Sequence, residues 1–86
     1  MSTLLDTTNW VSYPFEMNGI NFVSKLDPQG EFYPQIEAMP IGMFTAMNKQ
    51  MILELIGNPA DFSTEDLESE LATVNIGASQ AVICLA

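Results

Sequence analysis

Between Val11 and Leu26, apolar and polar residues alternate on either side of Asn18-Gly19. An Asn-Gly pair in that setting predicts a type I′ turn, because both central residues of the turn need positive φ. Folding the chain about it sets Met17 opposite Ile20, Phe15 opposite Phe22, Tyr13 opposite Ser24 and Val11 opposite Leu26. One face then carries Val11, Tyr13, Phe15, Met17, Ile20, Phe22 and Leu26. The other carries Ser12, Glu16, Asn21, Lys25 and Asp27, interrupted by Trp10, Pro14 and Val23. A sheet with one buried face requires this alternation. Pro14 has no N–H to give to a ladder, so the first strand is expected at a sheet edge.

Asp27-Pro28-Gln29-Gly30 reads as a turn, with Pro second and Gly fourth. Glu31 to Ile36 is expected as a short third strand, interrupted at Pro34. From Ile41 to Ile56 the pattern becomes helical. At about 100° per residue, Ile41, Phe44, Met47, Met51, Ile52 and Leu55 fall on one broad face, which is expected to meet the core. Pro40 suits a first-turn position, Gly42 weakens that turn, and Gly57-Asn58-Pro59 ends the helix.

A second helix starts at Ser63, a good N-cap, with Asp66 in the reciprocal position of a capping box. Phe62 and Leu67 occupy the two positions of a hydrophobic staple. Glu65 and Asp66 complement the dipole of the first turn. Leu67, Leu71 and Val74 are expected to face inward. Asn75 to Ser79 reads as a loop and Gln80 to Leu85 as a last strand. The order predicts an α+β fold. A small, mostly antiparallel sheet, formed by the N-terminal hairpin and a C-terminal strand, is covered on one face by two helices.

Length and composition set the scale. Eighty-six residues, 48% of them hydrophobic, suit a single small globular domain over 1–86 rather than a disordered chain. Two Lys or Arg against eleven Asp or Glu give a net charge of −9. Phosphate contacts need Lys and Arg, and only Lys25 and Lys49 are present, so direct nucleic-acid binding is not expected. Anionic membranes are disfavoured for the same reason. No apolar stretch reaches the roughly 20 residues of a membrane span, and Met1 to Asp6 shows no signal-peptide pattern. One cysteine, Cys84, requires no oxidising compartment, which points to the cytoplasm. The complement of so acidic a chain is a basic partner surface.

Candidate chemistry is sparse. Histidine is absent, so the commonest general base and metal ligand is missing, along with Ser–His and Cys–His nucleophile pairs. Cys84 alternates with Val82 on an apolar strand and is expected to be a buried structural thiol. Paired carboxylates could do acid–base work, but Asp61, Glu65, Asp66, Glu68 and Glu70 occupy a helix start and its exposed side. The Asp/Asn/Gly alternation of a calcium loop is absent, as are phosphate-binding glycine loops. No catalytic residue, metal ligand or cofactor is assigned.

Two surface features remain as candidate partner-binding sites. The acidic segment Asp61, Glu65, Asp66, Glu68 and Glu70 reads either as a solvated face or as a dock for a basic protein surface. On the long helix, Met39, Met43, Met47 and Met51 recur every four residues, and Met43 lies outside the expected core face with Leu53 and Ile56. Burial on more than one side would explain them; so would a partner contact, for which flexible thioethers are suited. Trp10 adds an amphipathic aromatic on the outer side of the hairpin. The leading expectation is a non-enzymatic protein-binding module, in its sharpest form an inhibitor masking a basic surface of a nucleic-acid-handling complex. The alternative is a structural or assembly subunit, such as a virion or tail-assembly component, held by hydrophobic and edge-strand contacts and able to self-associate. A small carboxylate hydrolase ranks behind both. In size and composition, though in no motif, the chain resembles phage or mobile-element accessory proteins.

Overall fold

Asn18 and Gly19 adopt φ of +55° and +85°, the signature of the type I′ turn. They join β1 (Val11–Met17) to β2 (Ile20–Leu26) in the expected register, Phe15 opposite Phe22 and Val11 opposite Leu26. The computed structural model describes residues 7–75 and 80–86. After the hairpin come α1 (Tyr33–Glu37), α2 (Ile41–Leu55), a 3-10 turn at Pro59–Asp61, α3 (Thr64–Val74) and β3 (Ala81–Leu85). The strand pairs antiparallel with β2, setting Ser24 opposite Ile83, so the sheet order is β1-β2-β3. The fold is α+β: a three-stranded antiparallel sheet with two main helices.

Hydrogen-bond parity decides what each edge presents. Asp27 N–H donates to Gln80 O at 2.8 Å and Ala86 N–H to Asn21 O at 3.0 Å. The odd-numbered residues of β2 therefore face β3, and the even-numbered ones face β1. The outward backbone groups of β1 then fall on Ser12, Pro14 and Glu16. Pro14 sits where its missing N–H removes no bond to β2, as the edge position expected from sequence requires.

The segment expected as a third strand, Glu31 to Ile36, is instead a turn at Glu31 and Phe32 followed by helix α1. Pro34 does not break it, because proline fits the first turn, where its missing N–H has no helical partner. The preceding turn is as expected: Gly30 N–H donates to Asp27 O at 3.0 Å, and the Asp27 carboxylate accepts from Gln29 N–H at 2.9 Å.

Helix α2 starts at Ile41 with Pro40 as its N-cap, one position earlier than a first-turn proline. It ends at Gly57 (φ +88°), whose N–H reaches back to Ile52 O at 3.2 Å and Leu53 O at 3.1 Å. Asn58 Oδ1 then accepts from Ala60 N–H at 3.0 Å and from Asn18 Nδ2 at 2.9 Å, tying the connection after α2 to the hairpin tip. Ser63 Oγ accepts from Asp66 N–H at 3.2 Å, which is the Ser63 half of the expected capping box, and the staple residues Phe62 and Leu67 both join the core. Of the loop expected over 75–79, only Asn75 is among the described residues.

Both helices lie on one face of the sheet, α2 over β1 and α3 over β3. The main core gathers Phe15, Phe22, Ile52, Leu67, Leu71 and Ile83. Phe15 and Phe22 stack with centroids 5.4 Å apart, and Tyr13 meets Phe44 edge-on at 5.0 Å. Since Ile83 points into this core, alternation turns Cys84 to the opposite face of the sheet, where it is half-buried rather than enclosed. The buried thiol expected from sequence is corrected accordingly.

Candidate functional site

The buried stripe of α2 is Phe44, Asn48 and Ile52, one residue per turn. The broad face expected from sequence is therefore wrong in four of its six positions: Ile41, Met47, Met51 and Leu55 are exposed. The cause is geometric. The helix lies along one edge of a three-stranded sheet, so its line of contact is narrow. Residues one helical step to either side project over the sheet margin or into solvent. Met43 and Met47 each keep 54% of their surface exposed, and Leu53 is exposed as well. Burial on more than one side does not account for the methionine ridge; Ile56 alone of the outlying residues is half-buried against the core.

Asn48, in the middle of that stripe, is 6% exposed, and its Nδ2 has no hydrogen-bond partner. An amide donor left unpaired away from water costs about 1–3 kcal/mol. Beside it lies a cavity of about 240 Å³ between α2 and the end of α3. Phe44, Asn48 and Met51 form one wall, Val74 and Asn75 the other, with Ser24 and Ile83 on the sheet below. The two helices run antiparallel: Ile52 shares the core with Leu67 and Leu71, whereas along Phe44 to Met51 on α2 and at the end of α3 the space between them opens.

The acidic residues lie along α3 and its approach. Asp61, Glu65, Asp66 and Glu68 are exposed, and Glu70 is half-buried. Val74 faces α2 across the cavity, so Glu70, one turn before it, lies on the same flank. Glu68 lines a second cavity of about 340 Å³ on the other flank, between α3 and β3, with Leu71, Ala72 and Cys84. The acids thus spread over the outer surface of α3 and do not converge. Among the described residues, no three His, Cys, Asp or Glu side chains are grouped to hold a metal ion.

Trp10 stands apart from both features. It is half-buried in a bend before β1, where its backbone N–H donates to Thr7 O at 3.0 Å, and not on the outer face of a strand. Of the seven residues singled out for partner contact, Met43 and the five acids belong to the helical layer, and Trp10 does not share it.

Sequence reasoning missed Phe32, which is 53% exposed just before α1, and Asn75, whose carboxamide bonds both backbone groups of Ile83. Among the described residues, no helix is long and apolar enough to cross a membrane. Comparison with known protein families, curated proteins and solved structures finds no match to this chain.

Proposed function

We propose that this chain is a non-enzymatic protein-binding module whose contact surface is the helical layer, with α2 supplying apolar contact and α3 supplying charge. One observation carries the reading. Of the seven large apolar side chains exposed among the described residues, six lie on α2: Ile41, Met43, Met47, Met51, Leu53 and Leu55. Scattered apolar surface is ordinary, but concentration on one helix marks a contact surface. The neighbouring acids select a basic partner and speed its encounter. Masking a basic surface of a nucleic-acid-handling complex is the sharpest form of this function.

An assembly role through strand edges has less support. Pro14 interrupts the outer edge of β1, and the Asn75 side chain occupies Ile83 on the outer edge of β3. The test is the salt dependence of partner binding, with Glu65→Lys and Glu68→Lys combined. The reading expects affinity to fall steeply with ionic strength, and the double reversal to weaken binding mainly through a slower on-rate. Unchanged affinity and an unchanged salt slope would reduce the acids to a solvated face.

A further inference from the structure

Resting on that reading, we infer that the occupant of the surface is an amphipathic helix of a partner protein. It lies along the groove between α2 and α3, with its apolar stripe on the methionine ridge and its Lys or Arg residues turned toward α3. Three features of the groove select this ligand. Met51 lines the cavity between the helices. Met47 and Met43 precede it by one and two turns, so a continuous thioether ridge climbs from the cavity to the surface. From Val74 at the cavity α3 runs back antiparallel to α2, so half-buried Glu70 and exposed Asp66, one and two turns before Val74, form an acidic wall beside the Met51–Leu55 end of α2. An apolar ridge bordered at its Met51 end by an acidic wall suits a helix with an apolar stripe and basic residues on the flank beside that end.

Dimensions and charge decide between occupants. The fifteen residues of α2 span about 22 Å, of which the ridge from Met43 to Met51 covers about 12 Å, just over two turns of a partner helix. The cavity of about 240 Å³ at the open end has room for one large apolar side chain as an anchor. A second copy of this chain would bring another net charge of −9 against the acidic wall, and its only cations are Lys25 and Lys49, so self-association is the poorer fit.

The probe is a 14-residue peptide of Leu and Lys with Leu at helical i, i+3, i+4 spacing. Two controls accompany it: the same composition scrambled to remove the apolar stripe, and a Leu/Glu version of the same pattern. Binding is read by NMR of protein labelled at the methionine methyls. The chain has six methionines, and Met17, packed against the core beside the hairpin turn, is an internal control. Saturable shifts are expected at Met43, Met47 and Met51 while Met17 stays still. Both control peptides should bind at least tenfold more weakly. Met43→Gln with Met47→Gln should weaken the Leu/Lys peptide about tenfold, and because both positions are exposed the fold should persist. Equal binding of the scrambled peptide means charge alone acts, and equal binding of the Leu/Glu peptide means the acidic wall plays no part; either overturns the inference. Concentration-dependent shifts of the same methyls without peptide would make a second copy the occupant and overturn it too. If a natural partner binds with steep salt dependence while these methyls stay still, the helix-in-groove inference fails and the protein-binding reading stands.

Discussion

Asn75 presents both ends of its carboxamide to the backbone of Ile83. Its Nδ2 donates to Ile83 O at 2.7 Å, and its Oδ1 accepts from Ile83 N–H at 3.0 Å. Because the odd residues of β2 pair with the even residues of β3, Ile83 turns its backbone groups away from the sheet. A side chain at the C-cap of α3 thereby takes the place of a fourth strand and fastens α3 to β3.

Removing that clip should be costly out of proportion to its size. Asn75→Ala leaves two partly buried backbone groups without partners, and a loss of about 1–3 kcal/mol is expected in urea unfolding. Hydrogen exchange should localise the change, with the Ile83 amide losing protection first. Asn75→Asp should not rescue it, since a carboxylate has no donor for Ile83 O.

The opposite sign is expected at Asn48. Its Nδ2 is buried without a partner in the middle of the apolar stripe of α2. Asn48→Leu removes that unpaired donor and should raise the unfolding free energy by about 1–3 kcal/mol. Thermal unfolding of the two proteins side by side checks this; a lower midpoint for the variant would mean that the amide serves the fold.

Tyr13 supplies a pH dependence. Burial pushes its phenol above the ordinary value of 10.0, and the neighbouring Tyr33 and Glu37 add to the rise. The folded chain therefore holds this proton more tightly than the unfolded chain. Stability from this group is whole below about pH 10 and falls as pH rises through the folded pKa. In ultraviolet titration, Tyr13→Phe should remove the component that titrates above 10.0, and Glu37→Gln should move that component part of the way back.

The hairpin was legible because the Asn18-Gly19 turn, the alternation and the register are local consequences of one another. The capped start of α3 was legible for the same reason. The core face of α2 was not. That helix carries apolar residues nearly all round, so periodicity alone does not pick out the narrow line that meets β1. Phe44 and Ile52 lie on that line, but a polar Asn48 stands between them and the exposed methionines flank it. Pro34 misled in another way, since proline is as much at home in a first helical turn as it is disruptive in a strand. The pairing of Asn75 with Ile83 is a tertiary contact with no local mark in sequence.

Gly19 holds the second central position of the hairpin turn. Its φ is +85°, and an added Cβ would meet nothing within 4 Å. Gly19→Val should therefore cost on the order of 1 kcal/mol or more through backbone strain alone. Denaturant unfolding measures the loss; an unchanged midpoint would contradict the turn geometry.

On the proposed function, the helical layer and not the outer face of the sheet meets a basic protein surface. Site-specific photo-cross-linking tests it most directly, with the reactive group placed at Met43 on α2 or at Ser12, exposed in β1 on the far side of the sheet. In cells that express the protein, the account predicts one discrete adduct from position 43 and none from position 12. The yield should fall as salt is raised before irradiation, and the cross-linked segment should be rich in Lys and Arg. Adducts of equal yield from both positions, or from position 12 alone, would contradict it.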